Sequence, residues 1–187
     1  MQFLIDGSRT RLGERVAQWP EGVAGQLLTP LTQYRKAADV FAIDNGAYNG
    51  LRLATFARMV ARYEQHEPLF VAVPDKVGCH RTTVALYEEH SHLALGCRKA
   101  FVAQDGYDGH PACAGAIFIG GTDAFKDSLE ALDLVRRSVV AGLHVHVGRV
   151  NWPTRWARFQ AVGAHTCDGS GASRYDHMWL RLRDHAG

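Results

Sequence analysis

Short apolar segments that end in a polar residue and a turn recur along this chain of 187 residues. They occupy residues 41–46 (FAIDNG), 70–75 (FVAVPD), 101–106 (FVAQDG), 117–121 (IFIGG) and 164–173 (AHTCDGSGAS). The apolar runs are continuous rather than alternating, which predicts strands that are buried on both faces. Such strands are typical of a parallel sheet covered by helices. This feature restricts the chain to the α/β class.

The pattern predicts about eight strands if two weak N-terminal segments are included. These strands occupy residues 2–5, 26–29, 40–43, 69–73, 100–103, 116–119, 143–147 and 164–167. Apolar residues at helical spacing predict helices over residues 12–19, 53–63, 82–95, 125–139, 152–162 and 175–183. We expect Thr122 or Asp123 to cap the fourth of these helices and Asn151 to cap the fifth.

Eight alternating strands and helices favour a compact (β/α)8 TIM-like barrel, formed as a single domain over residues 1–187. Typical barrels of this type have about 250 residues, so this one would be trimmed. The alternative is an open doubly wound sheet. That fold calls for a glycine-rich phosphate loop after the first strand, and the sequence has none there.

The composition permits several functions and requires none. A hydrophobic content of 47% is that of an ordinary globular protein, and a net charge of +2 is compatible with an anionic partner such as nucleic acid. No apolar run has the length of a signal peptide or a membrane span, so we expect a cytoplasmic protein. The four cysteines form no close pair, which favours free thiols over a zinc ribbon or a disulfide.

In a parallel barrel the carboxyl ends of all strands open onto one face, where active sites lie. The candidate site consists of the residues that follow the predicted strands. They are Asp44, Asp75, Gln104, Gly120, Gly121, Gly148 and Asp168. The aspartates and glycines among them are also good turn formers, so the inference depends on the set. Tyr48 adds a ring that is able to stack on a flat base, or that packs in the core.

Two carboxylates at one mouth suffice for glycosyl transfer or hydrolysis. His144 and His146 alternate on one predicted strand and point to the same side. They are therefore either metal ligands, together with Asp44 or Asp75, or polar groups packed inside the barrel. We predict neither a metal site nor a cofactor.

Aromatic and basic residues cluster near the last two units of the predicted barrel. Arg149, Trp152, Arg155 and Arg174 are candidates for contact with nucleic acid, because aromatic rings stack on bases and arginines neutralise phosphates. The alternative is that the arginines form a solvated face and the tryptophans pack on the barrel. For Trp156, packing is the preferred interpretation.

The ordered strand ends carry a family resemblance. Residues 41–48 resemble the Asp-Ser-Gly-Gly-Phe segment of the tRNA-guanine transglycosylases, and residues 101–106 resemble their Val-Gln-Gly turn. Residues 116–121 resemble their Gly-Gly-Leu strand, 144–148 their Leu-Met-Gly-Val-Gly strand, and 165–168 the strand that carries their nucleophilic aspartate. Order and approximate spacing are shared over residues 41–173.

Two departures from the family pattern narrow the resemblance. The clustered cysteines and histidine of the family's zinc site have no counterpart here, and the Pro-Thr-Arg that follows its nucleophile is missing. In both respects the chain resembles the compact relatives of the family, which insert deazaguanines into DNA. The resemblance therefore implies a barrel without the zinc subdomain and a substrate in which DNA is slightly preferred over tRNA.

The resemblance also implies roles for individual residues. Asp168 would attack the anomeric carbon and form a glycosyl-aspartate, and Asp44 would act as the general base for an incoming 7-deazaguanine-type base. Asp75, Gln104 and the Gly120-Gly121 backbone would read the purine edge, with the target nucleotide flipped out of its stack. The alternatives are an N-glycosidase, in which water resolves the intermediate, and a catalytically silent barrel that binds bases or nucleic acid.

Overall fold

The structure is a computed structural model that describes residues 1–186, and it contains a closed barrel of eight parallel strands. The strands are β1 (Gln2–Ile5), β2 (Val23–Leu28), β3 (Phe41–Ile43), β4 (Val71–Ala72), β5 (Lys99–Ala103), β6 (Ala116–Ile119), β7 (His144–Val147) and β8 (Thr166–Cys167). Each strand pairs with its neighbour in sequence, and β8 pairs with β1 to close the sheet. The predicted (β/α)8 barrel is confirmed.

Helices cover the outside of the barrel. They are α1 (Arg9–Gln18), α2 (Leu53–Tyr63), α3 (His80–His90), α4 (Asp123–Lys126), α5 (Leu129–Val140), α6 (Pro153–Ala161), α7 (Ser170–Arg174) and α8 (Asp176–Ala186). The connections after β2 and β5, residues 29–40 and 104–115, contain no helix, which shortens the chain that the barrel needs. Over residues 1–186, every helix is too short or too polar to cross a membrane.

Successive side chains of each strand point alternately into and out of the barrel, which gives an inner and an outer core. The side chains packed inside the barrel are Leu4, Leu27, Ala42, Phe70, Ala72, Ala100, Val102, Ala116 and Phe118. Alternate residues pack outward against the helices, where the indoles of Trp19, Trp156 and Trp179 are in contact. Trp156 is buried there, as the helical spacing predicts. The inner core fills the barrel below the strand ends, so that a cleft can exist only at its mouth.

The helix predicted over residues 125–139 is two helices. Ser128 has extended backbone geometry between α4 and α5, and its hydroxyl accepts from the N–H of Ala131. It thereby caps a new helix in place of the continuous one. Leu129 lies at apolar helical spacing from Phe125 and Leu132, which predicts that it is buried, and this prediction is wrong because Leu129 is 79% exposed. Thr122 does cap α4, with its hydroxyl accepting from the N–H of Phe125.

Asn151 is not the cap that the sequence predicts for α6. Trp152 occupies that position, and Pro153 begins the helix. The Asn151 Oδ1 atom instead accepts from the N–H groups of Gly171 (3.0 Å) and Ala172 (3.2 Å) in α7. This side chain therefore ties the β7–α6 loop to the segment that directly follows Asp168.

Other boundaries differ by a few residues. The helix predicted over 82–95 begins earlier and ends at His90, where a 3-10 turn over Ser91–Ala94 replaces it. The strand predicted over 26–29 lies at Val23–Leu28, and the one predicted over 69–73 is reduced to Val71–Ala72. The helix predicted over 175–183 is Asp176–Ala186, preceded by the short α7.

We expect Asn151→Ala to lower the free energy of unfolding by about 1–3 kcal/mol, because two partly buried N–H groups lose their acceptor. Urea denaturation followed by circular dichroism measures the change. The control is Asn49→Ala, at an exposed position in the 3-10 turn after β3. Equal stabilities for the two variants would contradict the role assigned to Asn151.

Candidate active site

A cleft lies at the mouth of the barrel, over the carboxyl ends of the strands. It encloses about 470 Å³ of atom-free space, part of it open to solvent. Its lining includes all eight residues proposed from the sequence as catalytic or base-binding: Asp44, Tyr48, Asp75, Gln104, Gly120, Gly121, Gly148 and Asp168.

Asp168 follows β8 directly and faces the barrel interior from its strand end. Its Oδ1 atom lies 3.1 Å from Nε2 of His146, and the backbone N–H of Arg149 donates to the same oxygen at 3.3 Å. No residue within 1–186 forms a hydrogen bond with its Oδ2 atom. The carboxylate is therefore held through one oxygen, and the other is free to react.

Asp44 lies at the end of β3 and is enclosed by protein on most sides. Burial raises its pKa to about 8, and the negative charges of Asp168 and Asp75 add to the shift. The backbone N–H of Gly46 offsets part of it. Asp44 is therefore protonated at neutral pH and is able to donate a proton before it accepts one.

Asp75 is held in a fixed orientation by two amide side chains. Asn45 Nδ2 donates to its Oδ1 at 2.8 Å, and Gln104 Nε2 donates to its Oδ2 at 2.6 Å. The Gln104 Oε1 atom in turn accepts from the N–H of Gly78. Burial raises the pKa of Asp75 to about 6, and the Asn45 hydrogen bond limits the shift. The result is a rigid polar wall that presents acceptor lone pairs to a ligand.

Two strand-end glycines make room for side chains at the cleft. A Cβ atom at Gly120 would lie 2.6 Å from Val102 Cγ1 and 2.8 Å from Gln104 Nε2. One at Gly148 would lie 2.6 Å from the Phe118 ring and 3.5 Å from Asp168 Oδ1. These positions are glycine because neighbouring side chains occupy the space, and turn formation alone does not explain them.

Lys126 is a site residue that the sequence did not reveal. Its side chain lines the cleft at 2% exposure, and its Nζ donates to the carbonyl oxygen of Gly121 at 2.8 Å. Burial and the nearby charge of Arg149 lower the pKa of Lys126 to about 8, whereas Asp168 acts in the opposite direction. An amine that is still largely protonated at neutral pH therefore lies among the carboxylates. A lysine near a helix start ordinarily indicates solvent exposure, so no sequence signal marked it.

Tyr48 and Arg149 form one side of the mouth. The Arg149 guanidinium lies 4.2 Å from the centre of the Tyr48 ring and also pairs with Asp123. Tyr48 is 62% exposed, so the core-packing alternative for it is wrong. Arg149 has a φ of 59°, in the left-handed region that non-glycine residues rarely adopt. Backbone strain of this kind is common at functional sites.

A second cleft adjoins the first and shares four residues with it: Asp44, Tyr48, Arg149 and Asp168. It adds Asp6, Thr29, Ser170 and Arg174. Burial raises the pKa of Asp6, and the charge of Asp168 contributes in the same direction. Arg174 is half-exposed, and its Nη2 atom lies 3.6 Å from Asp6 Oδ2. The two clefts therefore meet at Asp44 and Asp168. One is lined by Asp75 and Gln104, and the other by Arg174.

The remaining candidates for contact with nucleic acid have different environments. Trp152 is half-exposed, and the guanidinium of Arg181 lies 5.8 Å from its ring centre. Arg155 is largely buried, and its guanidinium is bound by the carboxylates of Asp123 and Asp127. The charge of Arg155 is thus already compensated within the protein, whereas Trp152 faces solvent.

The described residues contain no group of three or more His, Cys, Asp or Glu side chains arranged to hold a metal ion. His144 and His146 do point to the same side of β7, as the strand pattern predicts. Both imidazoles bind the hydroxyl of Thr166, each at 2.9 Å. The cysteines Cys79, Cys97, Cys113 and Cys167 are free thiols.

No protein-family model matches this sequence, and no curated protein matches it either. The functional argument therefore depends on the geometry of the two clefts and on the residues that line them.

We expect Asp44→Asn to stabilise the protein at alkaline pH. The pKa of Asp44 is raised from its ordinary value of 3.8 to about 8, so the folded state binds this proton more tightly than the unfolded state. The stability that the proton contributes is lost as the pH rises toward 8. Asparagine does not ionise. Its advantage over the parent should therefore grow by at least about 1 kcal/mol between pH 5 and pH 9.

Urea denaturation at several pH values measures this difference. The matched control is Asp133→Asn on the exposed face of α5, where the carboxylate pairs with Arg137. A constant difference between parent and Asp44→Asn across this pH range would show that Asp44 is not an uncharged buried acid.

Proposed function

We propose that this protein exchanges guanine in nucleic acid for a 7-deazaguanine-type base through a glycosyl-aspartate at Asp168, with DNA slightly preferred over tRNA. The observation that carries the proposal is the pairing of Asp168 with Asp44 between two clefts. Asp168 has a free oxygen on a fixed carboxylate, and Asp44 is protonated at neutral pH. A nucleophile and an acid in this arrangement suit cleavage of an N-glycosidic bond.

The first half-reaction forms one bond and breaks one. Asp168 Oδ2 attacks the anomeric carbon, and the bond from that carbon to N9 breaks with its electron pair going to the base. The proton of Asp44 passes to the departing guanine, which leaves neutral. Asp168 is then esterified to the sugar, and Asp44 is an anion.

The second half-reaction restores both residues. The incoming base binds in place of guanine, and its ring nitrogen attacks the anomeric carbon while its N–H proton returns to Asp44. The ester bond breaks, and Asp168 recovers its carboxylate. No external acid, base or oxidant enters the balance, because the raised pKa of Asp44 allows it to serve both steps.

The wall formed by Asp75 and Gln104 supports a guanine-like ligand. Each Asp75 oxygen accepts one amide hydrogen bond and keeps a further lone pair. Those lone pairs suit the adjacent ring N–H and amino group of guanine, two donors that adenine does not present together. Tyr48 supplies an exposed ring at the same cleft for stacking.

The second cleft supports a polymer substrate. Arg174 and Ser170 line the second cleft together with Asp168, and there they would contact the sugar and phosphate of a flipped nucleotide. The half-exposed ring of Trp152 offers a stacking surface beyond it. The residues that follow Asp168 lack the Pro-Thr-Arg of the tRNA enzymes, as in the compact relatives that act on DNA, and this favours DNA over tRNA.

The test incubates the protein with radiolabelled guanine and, separately, duplex DNA, single-stranded DNA and tRNA. We expect label in DNA, and we expect at least a 1,000-fold loss with Asp168→Asn, in which the nucleophilic oxygen is replaced by an amide. Asp133→Asn should retain full exchange. Label in tRNA alone would reject the DNA preference, and full exchange by Asp168→Asn would remove the proposed nucleophile.

Release of guanine without incorporation would indicate the N-glycosidase instead, with water resolving the intermediate. Binding of DNA or guanine with neither release nor incorporation would indicate a silent binding barrel. Either outcome would contradict base exchange.

Exchange should fall as the pH rises above about 8. Asp44 must carry a proton to release guanine, and its pKa of about 8 means that the proton is lost over this range. Initial rates of label incorporation between pH 6 and pH 10 measure the effect. An unchanged rate from pH 7 to pH 10 would contradict the acid role of Asp44.

A further inference from the structure

A chain of buried side chains runs through the barrel from β7 to Asp168. His146 is 0% exposed, and its ring lies between Phe70 and Phe118, with ring centres 5.0 and 4.6 Å away. Its Nε2 atom is 3.1 Å from Asp168 Oδ1, and its Nδ1 atom is 2.9 Å from Thr166 Oγ1. Both nitrogens of the ring are therefore engaged, and the aromatic neighbours fix its orientation.

Thr166 links this ring to a second histidine. Its hydroxyl lies 2.9 Å from both His146 Nδ1 and His144 Nε2. Burial lowers the pKa of His144 to about 3, and the imidazoles of His146 and His165 contribute to the shift, so His144 is neutral. A hydroxyl has one hydrogen. Thr166 must therefore donate to one imidazole and accept from the other.

One assignment of protons satisfies every contact when His146 is neutral and Asp168 is ionised, as a nucleophile must be. His144 Nε2–H donates to Thr166, Thr166 O–H donates to His146 Nδ1, and His146 Nε2–H donates to Asp168 Oδ1. The opposite direction would leave the bare Nε2 of His146 facing a carboxylate oxygen, with two acceptors in contact and no proton between them.

We propose that His146 is a positioning residue for Asp168, with its Nε2–H tautomer set by the Asp168 carboxylate and stabilised by the Thr166 hydroxyl. This inference rests on the proposed function. The N–H of His146 and the backbone N–H of Arg149 hold Oδ1, which leaves Oδ2 to form the bond with the sugar. When Asp168 leaves the sugar again, the same two donors stabilise the returning carboxylate charge.

The two donors therefore favour free Asp168 over the glycosyl ester. If the His146 donor is removed, attack loses its alignment and the ester loses a driving force for its breakdown. Net exchange should fall while the ester accumulates, which is a pattern that loss of packing alone does not produce. A purely structural defect would lower exchange and ester together.

The first experiment reads the tautomer by ¹⁵N–¹H correlation NMR of the imidazole nitrogens at pH 7, without substrate. We expect a proton on Nε2 and none on Nδ1 of His146 in the parent protein. Thr166→Ser and Thr166→Val leave the carboxylate in place and should keep this tautomer, whereas Asp168→Ala removes the acceptor of the Nε2–H and should give a mixture. A parent with a proton on Nδ1, alone or on both nitrogens, would overturn the proposal.

The second experiment uses a guanine-containing single-stranded DNA oligonucleotide and labelled guanine. We expect His146→Phe to lower exchange at least 10-fold while the fraction of protein trapped as a covalent adduct by acid quench rises above that of the parent. His146→Gln retains an N–H donor at similar reach. Its exchange rate should therefore be higher, and its trapped adduct lower, than in His146→Phe.

A parallel fall of exchange and adduct in His146→Phe, or no change in either, would overturn the positioning role. If His146→Phe does not fold, exchange and adduct are compared between Thr166→Val, which lacks the hydroxyl that holds the His146 ring, and Thr166→Ser, which keeps it. The same changes are expected in Thr166→Val, with smaller size. If the parent protein itself neither exchanges base nor forms an adduct, the proposed function fails, and the NMR result alone then decides whether His146 donates to Asp168.

Discussion

Burial of carboxylates at one barrel mouth is the constraint on which the site depends. Closure of eight parallel strands carries Asp44, Asp75 and Asp168 to the same face. Burial raises the pKa of Asp44 and of Asp75, and at Asp44 the charges of the other two carboxylates add to the shift. Asp168 is held by two N–H donors, whereas Asp44 retains its proton up to a pKa of about 8. A nucleophile and an acid arise from the same residue type because their surroundings differ.

The rest of the mouth is organised around this concentration of acid groups. Lys126 is buried among them, and the left-handed backbone of Arg149 turns its N–H toward Asp168 while its guanidinium covers Tyr48. The chain from His146 through Thr166 continues the same arrangement down into the barrel. The polar interior of β7 and β8 is satisfied by its own hydrogen bonds, which is the condition for burying such groups without a large loss of stability.

The barrel itself could be predicted from the sequence because its strands are continuous apolar runs. Such runs arise where both faces of a strand are buried. Strand-end residues such as Asp44 and Asp168 follow from that prediction, since parallel closure alone brings them together. Positions that depend on one contact could not be predicted. Ser128 caps α5 within a segment whose apolar spacing predicts one continuous helix. Asn151 accepts from an N–H group of α7 that lies 20 residues away in sequence, and local spacing does not reveal such a contact. The burial of Lys126 depends on how α4 turns over the cleft, and the spacing of residues does not encode that turn.

The central claim is that Asp168 forms a bond to the sugar, and mass spectrometry of an acid-quenched reaction tests it most directly. The parent protein is mixed with a guanine-containing single-stranded DNA oligonucleotide, digested with protease and nuclease, and its peptides are mapped. The account predicts a deoxyribose-bearing fragment on the peptide that contains Asp168, and none on that peptide from Asp168→Asn. An adduct on another residue, such as Asp44 or Lys126, or base exchange without any adduct, would contradict it.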